Sequence, residues 1–90
     1  MRHEIRLSHR AQRDLDPLDK PTQKRIVRRL EQLAEDPYDP RLSAQLSGAG
    51  NLRKSRVGAW RIIYQVNEEP KIVFVVMIER RGQVYKRIQA

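Results

Sequence analysis

Polar and apolar residues alternate at the start of the chain. In His3-Glu4-Ile5-Arg6-Leu7 the isoleucine and leucine share one side, which predicts a short strand. Ser8 follows with a hydroxyl suited to capping a helix, and Ala11, Leu15 and Leu18 then recur at helical spacing. Pro17 ends that helix or marks its last turn, because it has no N–H to donate. Asp19 and Pro21 open a second helix whose apolar stripe is Ile26, Leu30, Leu33 and Ala34, with Val27 beside it. Lys24, Arg25, Arg28, Arg29 and Glu31 face away, and Asp36-Pro37 closes the element. Residues 36–51 are rich in Pro, Asp, Ser and Gly and read as a loop, anchored by Leu42 and Leu46. Three strands follow, Leu52 to Val57, Trp60 to Val66 and Lys71 to Ile78, with turns at Gly58-Ala59 and Asn67-Glu68-Glu69-Pro70. The last strand is apolar in both phases and is expected to lie centrally, covered on each side. Gln83 to Ile88 forms a short C-terminal segment of unassigned type. Strand, two helices and a three-stranded antiparallel meander make one α+β domain over residues 1–90, without repeats.

The strand phases select candidate chemistry. Ile62, Tyr64 and Val66 share one face, which the helices should cover, so Arg61 stands on the other. The preceding strand offers Lys54 and Arg56 in one phase and Arg53, Ser55 and Val57 in the other. Across the two-residue turn, Arg56 and Arg61 come close to being cross-strand neighbours. Like charges so placed repel, and an anion between them would relieve the repulsion. Lys54, Arg56, Arg61 and Arg81 then line one sheet face, with Arg80 beside them and Tyr85 near the rim. Arginine suits phosphate through its two-pronged donation, and a tyrosine can stack on a base or move a proton. The bland readings are a solvated Arg53, a rim-packing Tyr85 and a Trp60 that fills the core. Gly48-Ala49-Gly50-Asn51 is a turn without the Lys-Ser/Thr of a phosphate-binding loop. His3 and His9 fit no metal spacing, and no metal or cofactor is expected.

Charge sharpens this picture. Nineteen Lys and Arg against eleven Asp and Glu leave a net of +8. Residues 1–47 carry ten basic and eight acidic side chains, whereas residues 48–90 carry nine and three. A basic half favours a polyanion, with nucleic-acid phosphates first and an acidic membrane surface or acidic protein as alternatives. Hydrophobic residues make up 39% of the chain, enough for a small core. There is no cysteine, which fits a reducing cytoplasm, and the run Ile72 to Ile78 is too short to cross a membrane. Met1 to His9 lacks a signal-peptide core.

Two stretches carry a family resemblance. Leu52-Arg-Lys-Ser-Arg-Val-Gly-Ala-Trp-Arg-Ile-Ile-Tyr-Gln-Val66 and Ile78-Glu-Arg-Arg-Gly-Gln-Val-Tyr-Lys86 resemble the basic strand pair and the closing motif of the RelE/ParE toxin superfamily. The resemblance spans essentially the whole chain. It implies a RelE-like fold, a toxin of a type II toxin–antitoxin system and a cognate antitoxin partner. It also implies operator-DNA binding by the complex through the antitoxin. RelE-like members imply ribosome-dependent mRNA cleavage in the A site, by 2′-hydroxyl attack on the adjacent phosphate. On the matching positions Lys54, Arg61, Arg81 and Tyr85 are the implied catalytic set, with Arg53, Arg56, Arg80 and Lys86 as RNA-binding neighbours. Leu52 stands where the family often has lysine, and Arg80 where it has histidine, so only Lys, Arg and Tyr remain for acid–base work. Free Lys and Tyr titrate at roughly 10, and crowded cations lower such values. A ParE-like inhibitor of DNA gyrase and a non-catalytic nucleic-acid-binding domain are the alternative expectations.

Overall fold

The computed structural model describes residues 2–46, 48 and 50–81. The order is β1 (Glu4–Leu7), α1 (His9–Leu15), α2 (Lys20–Glu35), β2 (Ala44–Gln45), β3 (Leu52–Val57), β4 (Trp60–Glu68) and β5 (Lys71–Arg80). Both expected helix starts are present. The Ser8 hydroxyl accepts from the Ala11 N–H at 2.9 Å, and the Asp19 carboxylate accepts from the Thr22 N–H with Pro21 in the first turn. Three corrections concern the strands. The β4–β5 turn narrows to Glu69–Pro70, which contains a cis peptide bond. The loop hides the two-residue β2, too short for any periodicity to reveal. Finally, β4 rather than β5 is the middle strand.

The five strands form one sheet in the order β1-β5-β4-β3-β2, with β1 parallel to β5 and every other neighbour antiparallel. Helices pack on one face. Ala11 and Leu15 of α1 and Ile26, Leu30 and Leu33 of α2 meet Val57, Ile62, Tyr64, Val73, Val75 and Ile78 in a single core. Neither α1 nor α2 packs on the other face, where Ile63 is buried nonetheless. Phe74 there is 38% exposed, which corrects the expectation that β5 is covered on both sides. Its continuous apolar run has a different cause. Between Ile63 and Tyr64 the β4–β5 register slips by one, and Val76 is the unpaired residue. The slip resets the inward phase, from Val73 and Val75 before the bulge to Ile78 after it.

Past Leu7, where β1 ends, α1 supplies partners for the β5 edge. The Ser8 hydroxyl donates to the Val76 carbonyl at 2.6 Å, and the Asp14 carboxylate accepts from the Ile78 N–H at 3.0 Å. The loop after α2 is tied down by a directed chain of donors. Arg53 Nε donates to Ser43 Oγ at 2.8 Å, Ser43 bonds the fully buried Tyr64 hydroxyl, and Tyr64 donates to the Pro37 carbonyl at 2.7 Å. Burial pushes the Tyr64 hydroxyl above its ordinary pKa. Near the β4–β5 turn, Glu68 accepts from Tyr38 (2.5 Å) and Lys71 (3.2 Å) and contacts His3 Nε2 at 3.1 Å.

Candidate nucleic-acid interface

The β3–β4 hairpin is short because Gly58 takes φ 59°, a left-handed conformation that costs glycine little. This tight turn fixes the register. Arg56 lies directly opposite Arg61, and Lys54 lies opposite Ile63, all in the phase that points away from the helices. Cross-strand pairs of this kind stand about 5 Å apart at Cβ. The structure therefore brings Lys54, Arg56 and Arg61 to one face, opposite α1 and α2. The backbone N–H of Arg81 donates to the Ala59 carbonyl at 2.9 Å, which holds that residue beside the same turn.

The remaining expected residues go elsewhere. Arg53 pairs with Tyr64 and Arg80 with Trp60, so both lie in the opposite phase. Arg53 is committed to Ser43 and its guanidinium carbon sits 5.2 Å from the Tyr38 ring centroid, a cation–π contact. Tyr85 and Lys86 fall outside the described residues. Among the described residues no group of three or more His, Asp or Glu is placed to hold a metal ion. No helix among them is long and apolar enough to cross a membrane.

Sequence reasoning missed Glu79. It lies opposite Arg61 on β5, and its Oε1 accepts from Arg61 Nε at 2.9 Å and from Nη2 as well. The pair is partly buried, with side-chain exposures of 29% and 21%. Glu79 thus orients the guanidinium through one edge and leaves Nη1 for another acceptor. Arg29 was also missed. Its Nη1 crosses from α2 to donate to Ser55 Oγ at 2.9 Å and to the Arg56 carbonyl at 2.5 Å. Lys54 and Arg56 make no ion pair among the described residues. Two uncompensated cations beside one oriented guanidinium can receive a phosphate through charge-assisted hydrogen bonds, with no rearrangement of the strands.

Comparison with known proteins places the chain among toxins. Residues 5–85 match the sequence model of the family described as ParE toxin of the type II toxin–antitoxin system, parDE. A protein of Escherichia coli described as RelE-like toxin is 30% identical over 83 residues, which cover 90% of this chain and 85% of that protein. The archaeal RelE–RelB complex from Pyrococcus horikoshii superposes with a TM-score of 0.77 at 24% identity, covering 91% of this chain and 98% of the other. The toxin–antitoxin complex RelBE2 from Mycobacterium tuberculosis gives 0.78 at 22%, covering 90% and 100%.

Proposed function

Because the chain belongs to the ParE toxin family of type II toxin–antitoxin systems, within the RelE/ParE superfamily, we propose that it is an endoribonuclease toxin that cuts mRNA in the ribosomal A site. The observation that carries this reading is the juxtaposition of Arg56 and Arg61 with Lys54 on the sheet face opposite α1 and α2. An RNA phosphate relieves the repulsion between those side chains. Arg61, steadied by Glu79, and Arg56 hold its non-bridging oxygens and offset the charge that grows on phosphorus in the transition state.

The 2′-oxygen attacks its own adjacent phosphorus while the bond to the 5′-oxygen breaks, leaving a 2′,3′-cyclic phosphate and a 5′-hydroxyl. The 2′ proton passes to Lys54 in its neutral form or to the Tyr85 phenolate, and Arg81 stabilises or protonates the departing 5′-oxygen. Lys54→Arg and Tyr85→Phe distinguish the two bases: loss of the ascending limb of the pH–rate profile in one variant alone identifies it. A cognate antitoxin covers the basic face and restrains the toxin in the cytoplasm, and their complex binds operator DNA through the antitoxin. The toxin–antitoxin complexes among the structural relatives support that partner.

Primer extension on mRNA in a reconstituted translation reaction tests the activity. The expected result is breaks at A-site codons with wild type and none with Arg61→Ala/Arg81→Ala. Absence of breaks with folded wild-type protein refutes the reading. The description of the matching family favours a second one, a ParE-like inhibitor of DNA gyrase. Inhibition of gyrase decatenation that survives Arg61→Ala and Tyr85→Phe would establish it instead.

A further inference from the structure

The edge of β3 is only partly paired: β2 covers Arg53 and Lys54 and ends there, leaving the strand open towards Val57. Beside this gap lies a pocket of about 320 Å³, walled by Arg29 from α2, Arg41 from the loop and Lys54 and Arg56 from β3, with Pro40 and Leu42 as apolar lining. That volume is at the lower end of small-molecule sites. Four cations line the pocket and no carboxylate does.

Arg29 is the unusual member. Neutral acceptors alone fix its guanidinium, Gln32 at Nε (3.1 Å) and Ser55 and the Arg56 carbonyl at Nη1, leaving Nη2 without a protein acceptor among the described residues. Arg41 is held by Asp39, through Nε at 3.2 Å and Nη2 at 2.9 Å, yet remains 85% exposed. A guanidinium held rigid by neutral groups beside two further unpaired cations is a preorganised anion receptor, because the cost of assembling the charges is met in folding. We propose that this pocket is a second phosphate site adjoining the Arg61–Glu79 site, and that it takes a neighbouring backbone phosphate of single-stranded RNA. Lys54 and Arg56 belong to both the pocket and the sheet face, so a strand can turn round the β3 edge from one to the other. The RNA ligand rests on the function proposed above; the phosphate site itself does not.

Two measurements on the purified full chain test the proposal. In the first, amide NMR shifts are followed with inorganic phosphate and with sodium chloride at equal ionic strength. Phosphate-specific shifts are expected at Ser43, Ala44, Lys54 and Arg56, and shifts spread evenly over the basic surface would overturn the site. The second reads affinity for a 2′-O-methyl oligonucleotide, which binds but cannot be cut, across a salt series. Arg41→Gln should weaken binding about fivefold at 0.1 M salt and lower the slope of log affinity against log salt by about 0.7, the value for one single-strand phosphate contact. Asp39→Asn should do the reverse, since asparagine keeps the acceptor for the Arg41 N–H (2.9 Å) while releasing the charge. A merely structural role predicts the same sign for both variants. Equal affinities in all three proteins, or a pocket that answers to an acidic antitoxin peptide and not to RNA, would overturn the RNA assignment. Local phosphate binding without cleavage activity would count against the ribonuclease and leave this site standing.

Discussion

Replacing Glu79 by glutamine removes the only carboxylate that bonds Arg61 among the described residues. Exposed ion pairs contribute at most about 1 kcal/mol, and breaking a buried one costs about 3–5. With a fifth to a third of each side chain exposed, the Arg61–Glu79 pair lies between these limits. Discounted for solvent screening, its loss costs about 1–2 kcal/mol. The variant also unmasks Arg61 opposite Arg56, adding roughly 0.2–1 kcal/mol of cross-strand repulsion. A total near 2 kcal/mol shifts the urea midpoint by roughly 1–2 M for a domain of this size. The repulsive part has its own signature. Arg56→Gln should recover up to about 1 kcal/mol in the Glu79→Gln background and be nearly neutral alone. Urea unfolding of the four proteins completes the cycle. Glu79→Gln with wild-type stability, or no recovery from Arg56→Gln, refutes the claim that Glu79 offsets a strained cation pair.

Tyr64→Phe strands the buried Pro37 carbonyl and leaves Ser43 with Arg53 alone, so stability should fall by about 1–3 kcal/mol in chemical denaturation. Ser8→Ala removes both the α1 cap and the tie to Val76 and should cost about 1–2 kcal/mol by the same assay. Gly58→Ala places a Cβ 2.7 Å from Arg25 Nη2 at φ 59° and should destabilise by about 1–2 kcal/mol, with the Arg25 side chain displaced. The Tyr38 and Lys71 hydrogen bonds hold Glu68 down at about 2, so its contribution is complete above the ordinary carboxylate range and is lost as pH falls towards 2. The same Tyr38–Glu68 bond, seen from the other partner, raises Tyr38 to about 12, and its contribution is lost as pH rises from 10 to 12. Melting temperatures of Tyr38→Phe against pH should show both limbs flattened; unchanged limbs would show that the bond carries neither.

The parts of the fold legible in the sequence were those set by local rules. Ser8 and Asp19 declare their helices because capping is a contact within one turn. Arg56 meets Arg61 because a two-residue turn leaves one antiparallel register. Arg53 illustrates the limit of that reasoning. Its phase was readable, but its commitment to Ser43 and Tyr38 depends on a loop whose path no periodicity encodes. The helical period turns Arg29 away from the core, yet it reaches the Arg56 carbonyl because β2 stops short and leaves the β3 edge open.

The ion pair at the centre of the candidate site depends on a single inserted residue. From the β4–β5 turn, pairing runs Glu68 with Lys71 through Tyr64 with Val75; continued without a break, it would set Arg61 against Ile78 and Glu79 against Trp60. Glu79 would then lie in the helix-facing phase and Arg61 would face Arg56 with no carboxylate opposite. The bulge at Val76 returns Ile78 to the core and carries Glu79 onto the open face in the same step. Apolar burial therefore enforces the register that compensates Arg61: slipping back by one residue would expose Ile78 while breaking the pair. A fold held this way can keep two arginines face to face on the sheet face opposite α1 and α2, with one oriented by its carboxylate and the other left free for an incoming anion.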